Sequence, residues 1–108
     1  MTLPDEAKRN LEEAINDWLL RFDELAESES EFLKRIGIEP TLETLLSYTA
    51  GILDSIVGGY IHAKYDRGMT EAEDTELIEL LNVFLPEFKH KFKSFLHAQK
   101  TTTQSPPR

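Results

Sequence analysis

The stretch TLETLLSYTAGILDSIVGGYIHAKYDRG, residues 41–68, decides the fold of this chain. The residues of one side recur at steps of three and four, which is the period of one face of an α-helix. Thr41 is a favoured N-cap residue, and Gly68 stands in a favoured stop position. We therefore predict a helix over about 41–67. Its predicted buried face is Leu42, Leu45, Leu46, Thr49, Ile52, Leu53, Ile56 and Tyr60.

A heptad-like apolar series precedes this helix. It comprises Leu11, Ile15, Trp18, Phe22, Leu25, Phe32 and Ile36, with Glu29 in the one position that lacks an apolar residue. Pro4 suits the first turn of a helix, and Gly37 suits its end. The pattern predicts one helix over about 4–36, loosened in the charged run Glu27–Glu31.

A third apolar series follows Gly68. It comprises Leu77, Leu81, Phe84, Phe88, Phe92, Phe95 and Leu96. Thr70 and Glu73 have the spacing of a capping box, so a helix should begin near residue 71. The series crosses Pro86 without losing its phase, although proline normally ends or kinks a helix. A helix kinked at Pro86 over about 71–99 is the first prediction, and two helices divided at Leu85 are the second.

The short links between these segments favour antiparallel neighbours. The predicted fold is therefore all-α, an elongated antiparallel three-helix bundle, or a four-helix one if the chain divides at Pro86. Residues 1–99 should form a single helical domain, and residues 100–108 a disordered tail, because TTTQSPPR has no apolar pattern.

Composition narrows the function classes. The formal net charge of the 108 residues is −8, and the chain has no cysteine. An acidic body disfavours general binding to nucleic acid, and the absence of cysteine excludes disulfides and thiolate chemistry. The N-terminus lacks a secretory pattern, and no apolar run suits a membrane span, so we expect a cytoplasmic protein. No phosphate loop or zinc-ligand cluster indicates a cofactor or metal.

Small residues line the opposite side of the central helix: Ser47, Gly51, Ser55, Gly58 and His62. Each glycine in a helix interior costs ~1 kcal/mol relative to alanine. Small residues let two helix backbones approach closely, so we interpret this face as an interface, most simply a dimer axis. Two alternatives are contact with another partner or ligand, and glycines that are merely tolerated or allow a bend at Gly58–Gly59.

Apolar residues beside the main series support a homodimer, since exposed apolar surface usually marks an interface. They are Leu19, Leu20, Leu33, Val57, Ile61, Ile78 and Val83. A second candidate surface is the basic stripe of Lys89, Lys93 and Lys100, which would meet an acidic partner. The alternative, which the continuous aromatic series from Leu77 favours, is a core helix whose lysines are solvated or face the acidic first helix.

The histidines permit weaker hypotheses. Glu87 and His90 have a spacing found in di-iron bundles, and His62 and Asp66 lie one turn apart. Two ligands alone make no specific metal site. We predict no catalytic, metal-binding or cofactor-binding residue.

The favoured function is a non-enzymatic, homodimeric protein–protein interaction module, such as an adaptor, assembly factor or regulator. The alternative is a small helical enzyme or ligand-binding protein with a pocket between protomers near Gly51, Asp54, Gly58 and His62. A third hypothesis, that the chain is an acidic mimic of nucleic acid, is supported only by the net charge.

Overall fold

The structure, a computed structural model, describes the backbone of residues 2–103 and the side chains of residues 2–99. Over this range the chain forms four helices: α1 (Asp5–Leu20), α2 (Phe22–Arg35), α3 (Leu42–Tyr65) and α4 (Glu71–Thr103). No strand occurs among the described residues, so the all-α prediction is confirmed. The molecule is elongated, with principal extents of 60, 25 and 19 Å.

The first predicted helix is interrupted, and its break lies at Arg21 rather than at Glu27–Glu31. Arg21 leaves the helical region at φ −115° and ψ 33°. Its side chain pairs with the carboxylate of Asp17 at 2.9 Å. The charged run itself is regular helix, with Glu27, Ser28 and Glu31 exposed and Glu29 and Ser30 buried.

The break at Arg21 changes which side of α2 is buried. A change of backbone angles at one residue rotates everything that follows about the helix axis. The predicted face is therefore wrong at Phe32 and Ile36, which are exposed, whereas Leu25 is half-buried and packs against the core. The buried residues of α2 are Phe22, Ala26, Glu29, Ser30 and Leu33.

Helix α3 begins as predicted. The Thr41 hydroxyl accepts the N–H of Thr44, and the Thr44 hydroxyl accepts the N–H of Thr41. The helix ends at Tyr65, earlier than predicted, because Asp66 adopts the left-handed conformation at φ 54° that we had expected of Gly68. Aspartate tolerates this region better than most residues. The buried line is Leu45, Thr49, Leu53, Val57 and Ile61, rotated slightly from the predicted face.

Helix α4 starts with the predicted capping box, since Thr70 and Glu73 each accept the backbone N–H of the other. It continues through Pro86 as one helix, so the division at Leu85 does not occur. The missing N–H of Pro86 leaves the carbonyl of Asn82 without its helical partner. Both residues are exposed, so water can satisfy that carbonyl. The kink at Pro86 stays a prediction.

The helix reaches Thr103, whereas we had predicted its end at about residue 99. Residues 101–103 of the expected tail are therefore helical, and residues 104–108 lie outside the described part of the chain.

An aromatic cluster joins the junction of α1 and α2 to α4. Phe22 and Phe92 meet at a centroid distance of 4.8 Å, and Trp18 meets Phe88 edge-on at 5.9 Å. Helix α3 packs against all three other helices. It runs opposite to α1 and α2, because Tyr60 near its end contacts Glu6 near the start of the chain. Thr49, earlier in α3, contacts Glu29, later in the chain.

Candidate functional site

The small-residue face of α3 is open to solvent over its first half. Ser47, Gly51 and Ser55 are exposed. A Cβ atom placed on Gly51 would meet nothing within 4 Å. The packing of this chain therefore gives no reason for glycine at position 51, and its helix cost is not offset by a close contact within the protomer.

These residues line a shallow groove of about 540 Å³, here called the α3 groove. Its lining is Ser47, Tyr48, Gly51, Ile52, Ser55 and Ile56. The side chains at Ser47, Gly51 and Ser55 are small, so the helix backbone beneath them is accessible. The larger side chains of Tyr48, Ile52 and Ile56 form the rest of the lining. The sequence pattern had placed Ile52 and Ile56 on the buried face. Both are half-buried, so the apolar arc of α3 is wider than the interior can cover.

An aromatic pair extends the α3 groove toward α2. The rings of Phe32 and Tyr48 lie 5.4 Å apart. Phe32 is 46% exposed, which is high for a phenylalanine. Sequence reasoning missed this contact, because it assigned Phe32 to the core of a continuous first helix. The pair makes the apolar surface continuous between two helices.

The second half of the predicted interface is arranged differently. Gly58 is half-buried, and a Cβ atom there would lie 3.8 Å from Cε of Met69, in the link between α3 and α4. His62 is exposed beyond this point and does not line the α3 groove. The structure thus brings Ser47, Gly51 and Ser55 together in one groove and leaves Gly58 and His62 outside it.

The apolar residues that supported a homodimer divide into two groups. Leu33, Val57 and Ile61 are buried within the single chain, so they give no argument for a partner. Leu19 is half-buried. Leu20, Ile78 and Val83 are exposed, with Leu20 at 85%. Of the seven, only this last group leaves apolar surface for another molecule to cover, in addition to the α3 groove and Phe32.

The basic stripe lies on the C-terminal half of α4. Lys89 and Lys93 are exposed, and the side chain of Lys100 lies outside the described residues. Lys91, which was not predicted, lies 5.9 Å from the centroid of the Phe22 ring. It lines a groove of about 790 Å³ between α2 and α4, together with the acidic residues Asp23, Glu24 and Glu27.

The residues of the enzyme alternative do not converge within one chain. Asp54 and His62 are both exposed. Eight helical positions separate them by roughly 12 Å along the axis, which is too far for both to act on one atom. Glu87 and His90 are likewise exposed. Within the part of the chain that the structure describes, no three His, Cys, Asp or Glu side chains form a group that could hold a metal ion.

A buried polar cluster between α2 and α3 was only partly visible in the sequence. Glu29 is 6% exposed and accepts a hydrogen bond from the Thr49 hydroxyl, at 3.2 Å to Oε2. Burial raises the pKa of Glu29 to about 7, against the smaller opposing effect of the Thr49 hydrogen bond. The interrupted apolar series had marked position 29, but Thr49 as its partner follows only from the packing of the helices.

Comparison with known proteins adds no relative. The chain matches no protein-family model, and neither curated proteins nor solved structures yield a similar chain. Among the described helices, none has an apolar stretch long enough to cross a lipid bilayer.

Proposed function

We propose that this chain is a non-enzymatic protein–protein interaction module that acts as a homodimer through the α3 groove. The observation that carries the proposal is the exposed apolar surface around Gly51, where glycine has no packing partner within its own chain. Glycine lowers the stability of a helix, and no contact within the chain compensates for that loss at position 51. Close approach of a second helix backbone would explain why glycine is present there. The acidic composition fits an adaptor or regulator working in the cytoplasm better than a nucleic-acid binder.

A two-fold axis near Gly51 would make the contact self-complementary. In such an interface the same patch on each chain faces its copy. Ser47, Gly51 and Ser55 of one α3 would then cross those of the second α3 at short distance. Tyr48 and Phe32 would add aromatic area at the border, which is the kind of residue that contributes most at interfaces.

The interface is tested by adding bulk to the floor of the α3 groove. Gly51→Leu and Ser55→Leu are compared with Ala63→Leu, which adds a large side chain at an exposed position of the same helix, about 120° around the axis from Gly51. We expect both groove variants to weaken the dimer at least about tenfold by sedimentation equilibrium, and the control to leave it unchanged. Circular dichroism checks that all three remain helical.

Two results would contradict this proposal. One is a wild-type chain that is monomeric at about 100 μM, a concentration well above the Kd of a functional interface. The other is a dimer that survives both groove substitutions. Either result would leave the exposed glycine available to a different partner.

The second binding surface of the proposal is the basic stripe on α4, which would meet an acidic partner. We expect the wild-type chain to capture acidic proteins from native extract at low salt. The double variant Lys89→Glu and Lys93→Glu should capture fewer of them. Lys34→Glu, an exposed charge reversal on α2, is the matched control. Equal capture by the wild type, the double variant and the control would remove the stripe from the proposal.

A further inference from the structure

The buried face of α2 has polar side chains in its centre. Glu29 and Ser30 lie between Ala26 and Leu33, and all four residues are buried. A glutamate is almost never buried without a partner of opposite charge. The Ser30 hydroxyl is also buried and has no hydrogen-bond partner. The face of α2 that packs against the other helices therefore contains two side chains, Glu29 and Ser30, that would be better solvated in water.

The partners of Glu29 are too few for a carboxylate. An ionised carboxylate can accept about four hydrogen bonds and donate none. Among the described residues, only the Thr49 hydroxyl donates to it, at 3.2 Å to Oε2 and 3.4 Å to Oε1. The protonated acid accepts fewer hydrogen bonds, can itself donate one, and carries no charge to be solvated. The cluster suits a neutral Glu29 and leaves an ionised one poorly compensated.

Among the residues whose side chains the structure describes, no charged group compensates Glu29. From α3, its contact is the neutral Thr49. From α4, the titratable residues on the wall facing α2 are His90 and Lys91, and they share their groove with Asp23, Glu24 and Glu27. The influences on the pKa of Glu29 are burial and the Thr49 hydrogen bond, with no charged side chain among residues 2–99 contributing.

We propose that the Glu29–Thr49 contact is a proton-controlled latch between α2 and α3. With its proton, Glu29 stays buried and α2 remains on the bundle. Without its proton, the carboxylate gains hydration by leaving the interior, so the second half of α2 opens from α3. The transition is a property of the single chain and does not require dimerisation.

Opening would also change the surface around the α3 groove. Phe32 follows Glu29 by three positions, and its ring lies 5.4 Å from that of Tyr48. Movement of α2 would separate this aromatic pair and uncover more of α3. Protonation of Glu29 would thus control the shape of the apolar surface around the α3 groove.

Hydrogen exchange of the full-length chain tests the latch. Amide protection in α2 is measured by mass spectrometry at pH 5.5 and pH 8.0, with the intrinsic rates normalised. Since the pKa is about 7 when closed and 4.5 when solvated, we expect local opening to increase roughly 30-fold between these pH values. Glu29→Gln should show no such increase. Glu27→Gln, an exposed change on the same helix, should behave as the wild type.

The proposal is overturned if wild-type protection does not change with pH, or if Glu29→Gln retains the change. A carboxyl ¹³C titration of the wild-type chain decides the matter if Glu29→Gln fails to fold. An apparent pKa near 7 for the Glu29 carboxyl supports the latch. A value below about 5 means that the buried site does not disfavour the charge and rejects it.

Discussion

Two glutamates are buried in this chain, and their surroundings differ in almost every respect. Glu73, in the first turn of α4, accepts hydrogen bonds from two nitrogens of Arg67, at 2.8 and 3.1 Å, and from the N–H of Thr70. Glu29, in the middle of α2, accepts from one hydroxyl. Arg67, with the Thr70 N–H, lowers the pKa of Glu73 to about 2, whereas burial raises the pKa of Glu29 to about 7.

The difference shows that burial alone does not set the charge of a side chain. Both residues are almost fully removed from solvent. Glu73 stays ionised because the Arg67 guanidinium and the backbone N–H of Thr70 replace its water. Glu29 has neither. The first carboxylate closes the link between α3 and α4, and the second weakens the contact between α2 and α3 at neutral pH.

The largest expected effect comes from removing the well-paired carboxylate. Glu73→Ala eliminates a helix cap and a bidentate ion pair together, so we expect a loss of about 3 kcal/mol in the free energy of unfolding. Urea denaturation at pH 7 measures it. Glu79→Ala, at an exposed position of the same helix, should change stability far less. Equal losses for the two variants would contradict the structural role of Glu73.

A smaller effect of opposite sign is expected when the poorly paired carboxylate is replaced. The double variant Glu29→Leu and Thr49→Val removes the polar pair without leaving the Thr49 hydroxyl unpaired. At pH 8 it should be about 2 kcal/mol more stable than the wild type, because no carboxylate need be ionised in the interior. At pH 4.5, where wild-type Glu29 is protonated, the gain should largely disappear. A loss of stability at pH 8 would show that Glu29 is well accommodated.

The pH profile of the wild type should reflect both residues. The raised pKa of Glu29 means that stability is full below 4.5 and falls as the pH rises to about 7. The lowered pKa of Glu73 means that stability is full above 4.5 and falls as the pH drops toward 2.

Stability should therefore peak near pH 4.5 to 5. Between pH 4.5 and 3 only part of the Glu73 population becomes protonated. The loss of stability over this range is therefore smaller than the loss caused by Glu73→Ala. Thermal denaturation across the range measures the loss, and Glu73→Gln should reduce the acid limb. Part of the limb should remain, because Lys8 and the Leu3 N–H lower the pKa of Glu76. An acid limb as large as that of the wild type would assign it to carboxylates other than Glu73.

The smallest effect is expected at an exposed carboxylate with partners of its own. Glu6 accepts a hydrogen bond from the Tyr60 hydroxyl at 2.9 Å and lies 3.5 Å from Nζ of Lys64. The Tyr60 hydrogen bond and Lys64 lower the pKa of Glu6. Water and salt screen exposed pairs, so Glu6→Gln should change the denaturation midpoint within experimental error. A large change would show that partners matter as much outside the interior as within it.

The local chemistry of the chain predicted several elements correctly. Thr41, and Thr70 with Glu73, start α3 and α4, and Gly37 follows the end of α2 at φ 82°. These features depend on neighbours within a few residues, so their physics is present in the sequence itself. The charge of Glu73 was partly visible in the same way, since its cap partner is close along the chain. Its pairing with Arg67 was not predicted.

The candidate surface was predicted in part. The spacing of Ser47, Gly51 and Ser55 identified one face of α3, because the geometry of a helix converts spacing into direction. Which half of that face stays open depends on Met69, and its aromatic border depends on Phe32 of another helix. Contacts between distant segments have no local signal in a single sequence.

The sequence by itself determined the helical class, the starts of two helices and the position of a glycine that its own helix does not require. Only the tertiary structure decided the break at Arg21, the rotation of α2 and the burial of Glu29 against Thr49. The physical reason is the range of the interactions. Caps and periodicity act over one or two turns, whereas the face that a helix buries is chosen by the packing of all the helices together.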